Sequence, residues 1–319
     1  MSSRLEALKA LSLVVADTGD LDAIKRYQPH DATTNPSLIL KAFDLPGHQG
    51  LIDRTLAQLK NGTQESQARI ERGVDHLAVA IGSEIAGLIP GRVSTEVAAR
   101  LSFDTQASIR KAHELIELYD RAGVDSDRVL IKLASTWEGI RAAERLQQEG
   151  IQCNLTLLFS RAQAQACFDA GVYLISPFVG RVTDWYRKET GQQFTPDDDP
   201  GVRFVRDVCN VADGGNYATV VMGASFRTVD QVLALAGCHR LTISPALLEE
   251  LGSSHGPVNR RIEFPGRHTQ PPAPLGESEF RWNHNQDAMA NDKLAEGIRR
   301  FAEDQASLEK LIAKRMNLR

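Results

Sequence analysis

The chain is poor in the features that mark most metal, nucleotide and membrane proteins. Its four cysteines (Cys153, Cys167, Cys209 and Cys238) lie far apart, with no CxxC pair and no His–Cys spacing suited to zinc. They read as small buried hydrophobes of a reducing compartment. No HExxH occurs. His113 falls in a charged helical segment, and His239, His255 and His284 fall in loops or at their borders, so no metal site is expected. A GxGxxG after the first strand candidate is missing, and so is any GxxxxGK[ST]; this argues against a dinucleotide or P-loop fold. Positive charge is not in excess, the formal net charge being -4, which gives no reason to expect a nucleic-acid partner. The opening Met1-Ser2-Ser3-Arg4-Leu5-Glu6 has no apolar run fit for a signal peptide or membrane span, so a soluble cytoplasmic protein is expected.

What is present is a long, regular alternation. Hydrophobic residues make up 42% of 319, enough for a sizeable core. Eight apolar strand candidates start near residues 11, 31, 92, 129, 152, 173, 218 and 240, most of them separated by one helical stretch. Strands alternating with helices imply right-handed βαβ units and a parallel sheet. Eight such units favour one closed (β/α)8 TIM-type barrel over an open doubly wound sheet. A single domain over residues 1–319 is expected, with an extra helix starting at Asp197–Gly201 and a long terminal helix from Met289 to Leu311.

Helix boundaries follow from caps and glycines. From Ser37 to Pro90 the pattern is mostly helical, with Ile70, Val74, Leu77, Ala78, Ile81, Ile85 and Leu88 on one face and Gly91 as the stop. Asp104 looks like an N-cap, and Gly123 ends its helix. Ser135-x-x-Glu138 and Ser160-x-x-Gln163 read as capping boxes, and Thr228-x-x-Gln231 opens a further helix. The stretch from Ser253 to Ser278 is rich in Pro, Gly and Arg and reads as irregular.

The most informative stretch is Val129-Leu-Ile-Lys132-Leu-Ala-Ser135. It reads as a strand buried on both faces, with Leu130, Lys132 and Ala134 on one and Ile131 and Leu133 on the other. Burial disfavours an ammonium and leaves part of it as free amine, which attacks ketones and aldehydes to form a Schiff base. A snorkelling lysine, or one paired with a buried carboxylate, would explain the stretch equally well.

In a barrel the chemistry gathers where strands end. There the strands carry Asp17, Asn35, Glu96, Lys132, Asn154 with Thr156, Ser176, and Ser225. Each alone has a plainer explanation as a cap, a turn residue or a core hydrogen bond; Asn35 before Pro36 could simply cap a helix. Together they suggest one mouth. Arg181 and Arg227 lie just past two late strands, where barrels commonly bind phosphate, although surface ion pairs would also account for them.

These residues together resemble transaldolase, of the larger bacterial and eukaryotic type. The matching stretches are Val15–Asp20, Asp31–Leu40, Val93–Val97, Ile131–Trp137, Cys153–Phe159, Ile175–Arg181 and Val221–Arg227, with Phe280-x-Trp282-x-x-Asn285-Gln-Asp287 further on. The match runs nearly end to end and is weakest around Pro257–Gly276.

The resemblance implies a class I mechanism with no cofactor and no metal. Lys132 would attack the C2 ketone of fructose 6-phosphate or sedoheptulose 7-phosphate. Glu96 would shuttle protons through a water held near Thr156. Asp17 would take the C4 hydroxyl proton as the C3–C4 bond breaks, and the dihydroxyacetone unit would pass to erythrose 4-phosphate or glyceraldehyde 3-phosphate, a transfer of the pentose phosphate pathway. Asn35, Asn154 and Ser176 would hold the three-carbon unit, and Arg181, Ser225 and Arg227 the phosphate. The family also suggests a homodimer. Competing expectations are a lyase like fructose 6-phosphate aldolase, and a sugar-phosphate-binding protein without catalysis.

The resemblance assigns Phe178 a part in favouring transfer, because the smaller aldolases carry tyrosine at the matching place. Phe178→Tyr should therefore raise cleavage or hydrolysis relative to transfer. Assays with and without an acceptor aldehyde check this, and an unchanged ratio of the two rates would count against it.

Overall fold

The computed structural model describes residues 2–59, 65–266 and 270–318. The eight expected strands form, each within two residues of its expected start. They are β1 (Leu13–Asp17), β2 (Asp31–Thr33), β3 (Val93–Glu96), β4 (Val129–Ala134), β5 (Cys153–Leu158), β6 (Leu174–Pro177), β7 (Val220–Gly223) and β8 (Arg240–Ile243). Each pairs in parallel with the next, and β8 returns to β1, so the sheet closes into a (β/α)8 barrel. All six residues of β4 are buried, as are all six of β5.

The alternation read from β4 holds in three dimensions. Leu130 joins Val15, Leu174 and Met222 in an apolar cluster inside the barrel. Ile131 and Leu133 point outward into the larger core between sheet and helices. Lys132, between them in sequence, therefore points inward.

Where the strands begin, a polar network closes the barrel. Asp31 of β2 and Arg240 of β8 form an ion pair at 2.6 Å with side chains only 5% and 7% exposed. The Tyr173 hydroxyl accepts from Arg240 Nη2 at 2.9 Å and from Arg92 Nη1 at 3.0 Å. Asp31 also accepts from the Arg92 backbone N–H at 2.9 Å.

The caps expected at Asp104, Ser160 and Thr228 form, and Ser160 and Gln163 make a reciprocal capping box. Three expectations change. The helix after β4 is capped by Thr136, whose hydroxyl accepts from the Gly139 N–H. Ser135 is unavailable, because its N–H and its hydroxyl both donate to the Thr156 carbonyl, at 2.8 and 2.7 Å. The helix Ser66–Ala86 stops at Gly87, before Gly91, which leaves Leu88 41% exposed. His284 lies within the helix Glu277–Gln286, where its ring is parallel to that of Phe280, and not in a loop. The remainder of Ser37–Pro90 is mostly helical, as expected, with residues 60–64 outside the described residues. Residues 256–266 and 270–276 carry no helix or strand, and 267–269 lie outside the described residues.

The terminal helix runs Ala288–Met316, longer at both ends than expected. Its first half lies over the mouth of the barrel: Ala290, Leu294, Ile298 and Phe301 pack with Ala134, Leu157, Phe159, Phe178 and Ala224 from the strand ends. Its second half packs through Leu308 and Ile312 into the outer core.

Arg240→Met should cost about 3 kcal/mol, because removing one partner of a buried pair strands the other charge. Urea unfolding of the variant checks this, and an unchanged midpoint would show that Asp31 needs no cation.

Candidate active site

Strand register builds the centre of the site. Glu96 of β3 lies opposite Lys132 of β4, and Lys132 opposite Asn154 of β5. Thr156 lies two residues further along β5, opposite Ala134. Inward-facing side chains from three neighbouring strands are thus set side by side. The Lys132 Nζ lies 2.9 Å from Glu96 Oε2, with side chains only 6% and 4% exposed. It also reaches the Thr34 carbonyl at 3.5 Å. Burial pushes the Glu96 carboxyl pKa upward, against the pull of Lys132 and Arg181, and the Asp17 charge adds to the rise.

Asp17 ends β1. Its carboxylate accepts from the Thr33 hydroxyl at 2.9 Å, and that hydroxyl lies 3.1 Å from Thr242 Oγ1. On the other side of Lys132, Ser176 Oγ donates to Asn154 Oδ1 at 2.6 Å, and Asn154 Nδ2 donates to Ser94 Oγ at 3.1 Å. The Thr156 hydroxyl is buried and has no hydrogen-bond partner among the described residues. A buried hydroxyl without a partner is costly unless water or a ligand satisfies it.

The cationic end comes from the loops after β6 and β7. Arg181, in the first turn of the helix Gly180–Thr190, lies against the Phe178 and Phe301 rings, 5.0 and 5.5 Å from their centroids. No carboxylate pairs with it among the described residues. Burial lowers its pKa, and the neighbouring Arg227 and Arg300 charges lower it further. Arg227 places Nε and Nη2 on Asp184 Oδ2 at 3.0 and 2.8 Å. That leaves Nη1 turned toward Ser225, 3.5 Å from its hydroxyl. Ser225 holds a left-handed φ of 62°. The two loops touch where the Gly180 N–H donates to the Ser225 carbonyl at 2.7 Å. A Cβ at Gly180 would stand 2.3 Å from that carbonyl oxygen, so only glycine permits the approach.

Between the two ends lies a cavity of about 320 Å³. Asp17, Asn35, Lys132, Thr156, Ser176, Phe178, Arg181, Ser225 and Arg227 line it, bringing together nine of the eleven residues singled out from sequence. The other two, Glu96 and Asn154, lie behind this lining, in contact with Lys132 and Ser176. Asn35 lines the cavity, and its side chain caps the following helix by accepting from the Leu38 N–H at 2.9 Å, as its place before Pro36 suggested.

Sequence reasoning missed Thr33, Lys41, Thr242, Arg300 and Phe301, which also line the cavity. Thr33 stands two residues before Asn35, a spacing that could have flagged it. Arg300 and Phe301 sit on the terminal helix, and nothing local in sequence says that this helix crosses the mouth. The described residues include no group of three or more His, Cys, Asp or Glu side chains set to hold a metal. No described helix is long and apolar enough to cross a membrane.

Comparison with known proteins agrees with this geometry. The family model described as transaldolase/fructose-6-phosphate aldolase matches residues 14–312. A transaldolase of Chromohalobacter salexigens is 70% identical over 314 residues, covering 98% of this chain and 99% of that one. A transaldolase of Aeromonas salmonicida is 57% identical over 316 residues, covering 99% and 100%. One of Yersinia pseudotuberculosis is 56% identical over 314 residues, covering 98% and 99%.

The raised Glu96 carboxyl gives a signed pH effect. Between its ordinary value of 4.5 and the higher folded value, the folded chain keeps a proton that the unfolded chain has lost. Stability from this group is therefore present at low pH and is lost as pH rises through that interval. Glu96→Gln removes the titration, so the melting temperature of the wild type relative to the variant should fall as pH rises above 4.5. A difference that stays flat with pH would contradict the raised value.

Proposed function

The chain belongs to the transaldolase/fructose-6-phosphate aldolase family, and on that premise we propose that it works as a transaldolase through a Schiff base on Lys132. The observation that carries this reading is a dry lysine, paired with a buried carboxylate at 2.9 Å, in the wall of a cavity whose other end is cationic. The ketose phosphate enters with its phosphate toward Arg181, Ser225 and Arg227, which sets its C2 carbonyl against Lys132 Nζ. The amine attacks C2, the carbinolamine loses water, and an iminium forms. Glu96 supplies and removes the protons of this step through a water at the unpartnered Thr156 hydroxyl. Asp17 then takes the proton of the C4 hydroxyl. The C3–C4 bond breaks, its electron pair enters the iminium, and the aldose phosphate leaves.

The three-carbon enamine stays on Lys132, held by Asn35, Asn154 and Ser176. An incoming aldose phosphate is attacked at its aldehyde carbon by the enamine C3, and its oxygen receives the proton held by Asp17. Water then releases the new ketose and frees the amine. The iminium is the electron sink, so this sequence calls for no further group. One barrel domain over residues 1–319, a cytoplasmic location and a homodimeric assembly belong to the same reading.

Borohydride reduction with fructose 6-phosphate, followed by peptide mass mapping, tests the proposal. A reduced three-carbon adduct on Lys132, with glyceraldehyde 3-phosphate released, is expected. A folded protein that binds the sugar but yields no adduct would overturn it.

A further inference from the structure

The β5 strand breaks its own alternation beside the site. From Leu155 to Leu158 it advances three residues while β6 advances two, from Ile175 to Pro177, so β5 carries a bulge of one extra residue. Leu157 sits in that bulge with a left-handed φ of 52°. Asn154 and Thr156 point into the barrel before the bulge, whereas Leu157 and Phe159 pack at its mouth after it, and Leu155 and Leu158 face the outer core. The bulge thus lets Thr156 face the cavity while Phe159 reaches Phe178, with ring centroids 5.3 Å apart and the planes at 75°.

A leucine at positive φ costs of order 1–3 kcal/mol and persists only where its surroundings hold it. One buried side chain does most of the holding. The Gln163 Nε2 donates to the Leu157 carbonyl at 3.0 Å and to the Ser135 carbonyl at 2.8 Å. Its Oε1 accepts from the backbone N–H of Phe159 at 2.8 Å and of Ser160 at 3.0 Å. A capping box needs only the bond to Ser160. The remaining three bonds tie the ends of β4 and β5 together, at Ser135 three residues past Lys132 and at Leu157 and Phe159. From above, Gly297 lets the terminal helix settle on the bulge; a Cβ there would stand 2.6 Å from Leu157 Cδ2.

We propose that Gln163 is a positioning residue of the reaction, whose buried amide holds the left-handed bulge at Leu157 and so sets the Thr156 hydroxyl beside Lys132 and Glu96. The inference rests on the Schiff-base reading above. It assigns Gln163 no contact with substrate; the residue acts through the backbone of β5.

The test is a double-mutant cycle read by the rate of borohydride-trappable adduct formation from fructose 6-phosphate. Gln163→Glu keeps the shape and the acceptor but, once ionised, loses both donors. It should slow trapping by roughly tenfold to 100-fold, the scale of a small misplacement in a catalytic site. Affinity for inorganic phosphate, read at the arginine end, should stay within about twofold, as expected of a residue that acts only on its neighbours. Combined with Thr156→Ala, it should add almost nothing to the slowing caused by Thr156→Ala alone. Fully additive losses would mean that Gln163 is only structural, and a wild-type trapping rate in Gln163→Glu would overturn the proposal outright. If Thr156→Ala itself traps at the wild-type rate, the proton role of Thr156 fails first, and the inference fails with it for a separately visible reason. Leu157→Gly probes the same geometry without touching the cap, because glycine is free to leave the left-handed region. It too should slow trapping without adding to Thr156→Ala, and full activity in this variant would overturn the proposal even if Gln163→Glu did not fold.

Discussion

A lysine and a glutamate share the dry interior of a barrel 2.9 Å apart, and much of the structure serves to keep them there. Each charge alone would be expensive to bury, and their mutual attraction offsets that cost only when the geometry is good. Strand register supplies the geometry, since Glu96 and Lys132 are opposite each other on adjacent strands. Dryness comes from two closures. Asp31, Arg240 and Tyr173 fill the end where the strands begin, and the terminal helix lies over part of the end where they finish. Between these closures lies the cavity, with Arg181, Arg227 and Arg300 among its lining.

The cationic side of the cavity depends on backbone more than on charge. Arg181 stands in the first helical turn after β6 and Arg227 on the loop after β7, and the two segments meet through Gly180 and the left-handed Ser225. Asp184 engages two of the three Arg227 guanidinium nitrogens and thereby directs the third toward Ser225. Arg181 is steered by two aromatic faces instead, one from a strand end and one from the terminal helix. Two guanidinium groups brought close in this way repel each other, which is why the neighbouring arginine charges help to lower the Arg181 pKa. A doubly charged anion placed between them would relieve that repulsion.

Much of this was legible because it depends on periodicity. The two-residue period of β4 put Lys132 inside with Leu130 and left Ile131 and Leu133 outside, and the strand–helix cadence predicted the closed barrel. What could not be read depends on contacts distant in sequence. Ser135 and Thr136 are both plausible caps, and only the pairing of β4 with β5 decides between them by claiming the Ser135 hydroxyl. The bulge at Leu157 has no glycine or proline to announce it, because it is held from outside by Gln163 and by the approach of Gly297. Arg300 and Phe301 reach the cavity only because a helix docks across the mouth. Gln163 itself was read correctly as a capping residue, and that ordinary role hid its other three bonds.

The placement of that docked helix bears on how the molecule is made. Residues 288–316 follow every strand of the barrel in sequence, yet Phe301 and Arg300 complete the cavity wall and Ala290, Leu294 and Ile298 cover its rim. During synthesis at the ribosome, the eight strands therefore emerge before the segment that roofs them. A nascent barrel would hold Lys132 under an open mouth, without one wall of the cavity. Completion of the cavity is then a late event in the life of the polypeptide, tied to the docking of one helix and separated in time from closure of the sheet.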